Sequence, residues 1–340
     1  MADAPQTLAL ITLGQFLRGD VVRQINRRSA LLRILPIIPG SGQNCAWSVE
    51  ADGQIGETYA DGADAANFGS DAQQQAVLGW SRTRSNFTVT GTARRAARTA
   101  QAGPGGMRDL IGRNMVNSSA KVASTVNAAL FSGAGTTNNI AGLDVAIADT
   151  TNTYATINRA TLPANAFWLP TVTDPGSLTA PTFAQIRADR TAIFKACGES
   201  PDIAVCSPEV FDTVGGLYDA TRRYVTEVST PRGKVTLDAG FQGLELDGMV
   251  FIKDKDATAN RIYYLNSNYI EIWYQPLEPE AMGTMNLPLK ADDGFGQTPL
   301  GIQCVKLAKN GDADRYSCFT ELQLVVRKPN AMGCRKNVAT

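Results

Sequence analysis

The side chains of this 340-residue chain that could carry chemistry are few and scattered. Histidine is absent, which removes the usual general base near neutral pH and the commonest metal ligand. Six cysteines, Cys45, Cys197, Cys206, Cys304, Cys318 and Cys334, include no Cys-x-x-Cys pair, so a tetrahedral zinc site would need four distant thiolates. Buried free thiols are the expected state. The segment Asp254-Lys-Asp256-Ala-Thr258-Ala-Asn260 places oxygen side chains at alternate positions, as a calcium loop begins. Ala259 then stands where the sharp turn needs glycine and Leu265 where the bidentate acid belongs, so a polar turn between strands is expected. Gly103-Pro-Gly-Gly has the ingredients of an anion nest, but without a dinucleotide fingerprint or phosphate-loop lysine it reads as a hinge. No G-x-S-x-G elbow occurs, and no Ser-His or Cys-His couple is possible. The sequence therefore points to no catalytic, cofactor-binding or metal-ligating residues; an enzyme relying on Lys, Asp or Tyr is a remote alternative.

Charge is more informative. The chain has 32 basic and 32 acidic residues, so it offers no long-range attraction to a polyanion and little electrostatic barrier to self-association. Within residues 41–102, a glycine-rich stretch too long for an ordinary connection, the charges are sorted. Glu50, Asp52, Glu57, Asp61, Asp64 and Asp71 come first, and Arg82, Arg84, Arg94, Arg95 and Arg98 follow. Alternation over residues 80–91, with Phe87 and Val89 apolar, predicts a strand returning from a long hairpin. The acidic and basic arms could pair with each other or with a neighbouring copy, because opposite charges fix register. They could also be two solvated faces of a loop, since an exposed ion pair contributes only about 0–1 kcal/mol. A second basic cluster, Arg18, Arg23, Arg27, Arg28 and Arg33, is opposed only by Asp20 and could meet phosphate, solvent or a subunit contact.

These residues need a scaffold. At 44% hydrophobic and 19% charged, the chain has ordinary globular composition, and its length implies two lobes or one core with long extensions. Met107, Leu110, Ile111, Met115, Val122, Val126 and Leu130 recur at helical spacing and predict one long helix over 107–131. Thr182 and Gln185 form a capping box opening a helix that Gly198 stops, and Ser207-Pro208 starts another after a strand at 203–206. Residues 248–253, 261–266 and 269–274 read as a three-stranded meander, followed by strands at 301–307 and 319–326. The class is α+β. The apolar run at 31–39 is broken by Arg33 and two prolines and no secretion signal is evident, so folding in a reducing cytoplasm, away from membranes, is expected.

The order of these features resembles the HK-97-type major capsid proteins of tailed double-stranded DNA bacteriophages. The resemblance implies an N-terminal arm at 1–43, an extended loop (a long β-hairpin) at 44–101, a peripheral domain with a spine helix at 102–141 and an axial domain at 142–245. Return strands shared by both domains would fill 246–340. Segments 154–159, 167–170, 200–211 and 247–266 carry the later part of the likeness. The family implies homo-hexamers and pentamers closing into an icosahedral shell around packaged DNA, with a portal protein as partner and, in some members, a decoration or cement protein. The shell would be assembled in the bacterial host cytoplasm. Because the extended loop is already under way near Cys45, a separate scaffolding protein, or none, is expected in place of a fused one. Some relatives weld subunits through a loop lysine, but no Lys precedes Lys121 here, so a noncovalent shell is expected. The sorted charges of the loop become candidate subunit contacts, and Arg18, Arg23, Arg27 and Arg28 candidate DNA contacts. An encapsulin-like nanocompartment shell is the alternative within the same fold.

Overall fold

The computed structural model describes residues 29–51, 58, 60–61, 72–99, 107–136, 138–162, 167–217, 224–225, 227–230, 233–236, 243–275, 285–286 and 300–340. Among these, helices and two large sheets mix along the chain, as the α+β expectation requires. The longest helix, α3 (Met107–Ser132), follows the predicted periodicity and spans roughly 39 Å at 1.5 Å per residue. Val122, Ala123, Val126, Leu130 and Phe131 are buried on one side of it. It ends just before Gly133, a position that needs glycine because a Cβ there would lie 2.3 Å from the Ile140 carbonyl oxygen.

α3 packs on a six-stranded sheet whose order is β1 (Ile37–Pro39), β15 (Ile270–Tyr274), β18 (Ala313–Val326), β17 (Gln303–Asn310) and β16 (Met285–Asn286), with β4 (Ser81–Thr90) also paired to β18. β18 organises this sheet: its first ten residues pair antiparallel with β4, and its last five, all buried, pair with β15. The second sheet has seven strands in the order β7 (Thr171–Thr173), β19 (Gly333–Arg335), β14 (Ile262–Leu265), β8 (Ile203–Cys206), β13 (Met249–Lys253), β12 (Gly243–Leu246) and β9 (Tyr224–Val225). Helices α5 (Phe183–Cys197) and α6 (Pro208–Gly216) accompany it. The capping box at Thr182 and Gln185, left-handed Gly198 and the Ser207 N-cap all form as predicted. Smaller elements are the hairpin β2 (Asn44–Ala51) with β3 (Ala72–Gly79), the pairs β5 (Thr153–Tyr154)–β6 (Ile157–Asn158) and β10 (Glu227–Thr230)–β11 (Gly233–Thr236), and helices α1 (Leu31–Ile34), α2 (Gly91–Thr99) and α4 (Leu143–Ala146).

Three expectations are corrected. The meander does not form: fully buried β8 lies between β13, to which it is parallel, and β14, to which it is antiparallel. The turn after β14 is held by Asp202, which accepts from the Ser267 amide at 2.9 Å and from its hydroxyl, and it sends β15 into the other sheet. The hairpin returns through β3, because Ser81–Thr90 is used by the long pairing with β18 and the packing of α3. Finally, Cys304 and Cys318 are joined by a disulfide, while Cys45, Cys197, Cys206 and Cys334 are free. The two bonded cysteines are direct cross-strand partners on β17 and β18, with Cα atoms 4.0 Å apart, the close spacing of a non-hydrogen-bonded pair.

The calcium-like segment is a polar turn with a structural task. Asp254, 2% exposed, accepts from the backbone amides of Ala30 (2.9 Å) and Leu31 (3.3 Å) and from Asn127 Nδ2 on α3 (3.0 Å). Asn127 Nδ2 also donates to Asp256 at 2.7 Å, and Asn127 Oδ1 accepts from the Ser29 hydroxyl. With the Asp256 amide also donating to Asp254, both of its carboxylate oxygens are occupied, which leaves no place for a cation. This cluster joins the N-terminal segment, the long helix and the seven-stranded sheet. Arg159, 1% exposed, plays a similar part by donating to the carbonyls of Val145, Ala146, Asp149 and Trp168 and to Asn152, and burial pulls its guanidinium down to about 10.

Asn127→Leu would leave the buried partners on Asp254 and Ser29 unmatched and should cost roughly 1–3 kcal/mol. Exposed Thr125→Ala on the same helix should stay within about 0.5 kcal/mol. Urea unfolding of the unassembled subunit distinguishes the two.

Candidate assembly interface

The hairpin is built to be held at one end. β2 and β3 pair over eight residues, from Asn44 opposite Gly79 to Ala51 opposite Ala72. At its base Cys45, Val49, Ala76 and Leu78 are buried, and burial pushes the Cys45 thiol up to about 12, so it is no nucleophile. Trp47 lies 6.3 Å from the Trp168 ring and 6.2 Å, edge-on, from Trp273, anchoring β2 to the body through aromatic contact. The Trp80 indole closes the base by donating to the Gly42 carbonyl at 3.0 Å. Beyond this anchor Glu50 and Asp61 are exposed. Asp52, Glu57, Asp64 and Asp71 lie outside the described residues, as do Arg18, Arg23, Arg27 and Arg28; Arg98 is described only as a backbone position of α2.

The basic arm finds its acids elsewhere. Arg82 pairs with Glu321 of β18 at 3.1 Å. Arg94 pairs with Asp314 at 2.8 Å and Asp312 at 3.3 Å, and Arg95 with Asp312 at 3.3 Å. These three arginines thus meet acids more than two hundred positions away, because β4 belongs to the β18 sheet; for pairing between the two arms of one hairpin, the acids Asp52, Glu57, Asp64 and Asp71 lie outside the described residues. Sequence reasoning missed Asp312, Asp314 and Glu321 because their nearness depends on strand pairing and leaves no local pattern.

The same register assembles a distinctive surface. Arg82, Arg84, Asn86 and Thr88 alternate on the exposed face of β4; opposite Thr88 stands exposed Arg315, and opposite Arg315 stands exposed Leu307 of β17. One sheet face thus carries Arg82, Arg84 and Arg315, with Glu321 as the acid among their neighbours on β18. An arginine-rich face interrupted by Leu307 and Phe319 suits contact with an acidic, partly apolar polypeptide, because Arg combines bidentate pairing with flat apolar packing.

A cleft of about 430 Å³ lies where the hairpin base meets the body, lined by Trp47, Glu50, Trp168, Tyr269, Arg327 and Lys328. At its edge Glu199 accepts from Lys328 (2.9 Å), Tyr269 (2.7 Å) and Asn266 (3.3 Å). Burial pushes the Glu199 carboxyl up, but these bonds outweigh it and hold it below its ordinary 4.5; burial pulls the Lys328 amine down, but Glu199 holds it above its ordinary 10.5. Both groups stay charged near neutrality, making an ion pair and not an acid–base couple. Among the described residues no group of His, Cys, Asp and Glu could hold a metal ion, and no helix is long and apolar enough to cross a membrane.

An anchored hairpin, a long helix laid on a sheet and a second sheet with its own helices form the frame expected of a shell subunit, and sequence comparison decides the matter. The family model of the SU10 major capsid protein matches residues 57–339. The chain belongs to that family. It is a major capsid protein, and its α+β fold is the HK-97-type capsid fold. Among solved structures it is similar to the capsid chain of cyanophage A-1(L), with a TM-score of 0.76 at 17% identity, covering 97% of this chain and 99% of that one. It is also similar to the SrpI encapsulin of Synechococcus elongatus PCC 7942 (TM-score 0.59, 14% identity, 97% and 95% covered). The capsid of a native GTA particle gives a TM-score of 0.59 at 11% identity, covering 96% and 97%. No curated protein matches by sequence.

Two outcomes follow for the capsid subunit. Arg94→Ala strips the main partner from Asp314, whose side chain is 3% exposed, and should cost about 1–3 kcal/mol; Arg95→Ala, 74% exposed, should change stability by less than about 0.5 kcal/mol. Denaturant midpoints of the two variants test the contrast. The Glu199 contribution is complete above pH 4.5 and lost as pH falls through its lower folded value, while that of Lys328 is complete below pH 10.5 and lost as pH rises through its higher folded value. Glu199→Gln should therefore flatten the acid limb of the stability–pH curve.

Proposed function

We propose that this capsid protein assembles as homo-hexamers and pentamers into an icosahedral shell around double-stranded DNA, assembled in the bacterial host cytoplasm. The observation that carries this reading is the pairing of opposite surfaces on one chain. The hairpin is anchored at its base and bears exposed Glu50 and Asp61, and a sheet face on the body bears Arg82, Arg84 and Arg315. On a closed shell the acidic hairpin of one copy lies against the basic face of the next, a heterologous contact that rotational symmetry closes into rings. Repeated around the ring, individually weak ion pairs act together. Arg94 and Arg95 support this face from within the subunit through Asp312 and Asp314.

The six-stranded sheet with α3 corresponds on this reading to the peripheral domain, and the seven-stranded sheet to the axial domain. Arg18, Arg23, Arg27 and Arg28 are proposed to meet DNA phosphate on the inner surface. A portal protein, a separate scaffolding protein and a decoration protein are the partners a DNA-filled shell calls for. Residues 1–120 contain no Lys, so neither arm nor hairpin offers an amine for welding neighbours, and locking is noncovalent.

Electron microscopy of particles formed by the expressed chain is the direct test: closed icosahedral shells support the proposal, and a failure to form shells under assembling conditions contradicts it. Nuclease-protected DNA, as opposed to protein cargo, in particles from the source separates a phage head from an encapsulin-like compartment. Particles should dissociate more readily at high ionic strength, and Arg82→Ala with Arg84→Ala should lower that threshold further. Denaturing electrophoresis should give one monomer band, and a ladder surviving reductant would rule out noncovalent locking.

A further inference from the structure

The Cys304–Cys318 bond poses a chemical question that shell assembly alone does not answer. Both residues are buried, at 1% and 0% exposure, on adjacent strands of the sheet that carries α3, and Ser119 of that helix lies 3.9 Å from the Cys304 sulfur. A cytoplasmic glutathione pool holds thiols reduced during synthesis and folding. The strand register shifts between Leu307 and Asn310, just beyond the cysteines, so the hairpin carries its irregularity on one side of this pair and the regular pairing of β18 on the other.

We propose that Cys304 and Cys318 form a redox maturation site: the subunit folds and assembles as the dithiol, and the disulfide closes once the particle leaves the reducing cytoplasm, fixing the β17–β18 register. The site rests on the cytoplasmic assembly proposed above. The oxidant is a low-molecular-weight disulfide such as oxidised glutathione. One cysteine thiolate attacks it, forming a mixed disulfide and releasing one glutathione thiol; the second cysteine then attacks the protein sulfur and releases the other. Two protein thiols thereby lose two electrons and two protons, and one small disulfide becomes two thiols. Entry requires transient opening of the β17 side, where β16 is a two-residue strand, so oxidation of folded subunits is slow. The free thiols differ in their surroundings: burial pushes the Cys45 and Cys334 thiols up to about 12, which disfavours their thiolates, and Cys206 is buried in the other sheet. Because the bond lies within one subunit, it leaves the monomer band of denaturing gels intact.

The test is acid-quenched alkylation with mass spectrometry on subunits taken directly from the expressing cytoplasm and on the same particles after incubation with oxidised glutathione. The expected result is six alkylated cysteines in the first sample and four in the second, with one disulfide-linked peptide pair containing Cys304 and Cys318. Oxidation should also raise the particle's melting temperature by several degrees, and reductant with prolonged incubation should reverse the shift. The double variant Cys304→Ala with Cys318→Ala should show no oxidant-dependent shift; wild-type particles provide the reading if the variant does not fold. Six alkylated cysteines after oxidation, a disulfide already complete in the cytoplasmic sample, or an oxidant-dependent shift persisting in the variant would each overturn the proposal. Shell formation is scored separately by microscopy, so loss of this site leaves the capsid reading standing.

Discussion

Three parts of the molecule that are far apart in sequence are tied together at one buried carboxylate. Asp254 sits in a turn of the seven-stranded sheet, yet its oxygens receive the amides at the start of α1 and the side-chain amide of Asn127 near the end of α3. A buried charge of this kind is tolerable only when every lone pair is matched, so the arrangement is restrictive. The N-terminal segment can enter the core only where its backbone donors reach Asp254, and α3 can lie on the sheet only with Asn127 turned toward it. Ser29, bonded to Asn127, fixes the same junction from the other side. The relation between helix and sheets, and with it the position of the hairpin emerging after α1, depends on this contact.

Similar devices recur wherever irregular backbone crosses the interior. Arg159 replaces water for four carbonyls around α4, and Asp144 of α4 receives Thr258, Arg261 and Tyr263 from the second sheet. The Asp189–Arg335 pair, at 2.6 Å, joins α5 to the C-terminal strand β19, with the hydroxyls of Tyr264 and Thr173 completing the carboxylate's partners. These polar ties are structural.

What the sequence disclosed follows from range. The long helix, the capping box at Thr182 and Gln185 and the Ser207-Pro208 start are written in residues within a few positions of one another, and each was legible. Strand partnership is not local. β8 separates β13 from β14 although the latter two are neighbours in sequence, and only the completed sheet reveals it. β3 carries Gln73, Gln74 and Gln75 in place of an apolar alternation, so the better-patterned Ser81–Thr90 took its place in the sequence reading. The charge sorting was visible, but Asp312, Asp314 and Glu321, which the arginines meet, arrive through β18. The disulfide was hidden for the same reason: its cysteines stand fourteen positions apart, and only the turn between β17 and β18 sets them opposite each other.

The pairing of β4 with β18 has a mechanical side. Ten consecutive residues of β4 are matched to β18, and the far end of β18 pairs antiparallel with β15. A force applied along these strands must slide the whole set of rungs at once, whereas a force at one end of a hairpin peels them one after another. Where a shell wall is stretched in its own plane, any strand lying within that plane carries the load in shear. The subunit is then stiffest along its longest strand, whereas the eight rungs of the β2–β3 hairpin, loaded from one end, yield one at a time. Load would spare the β4–β18 pairing and collect where strands can peel.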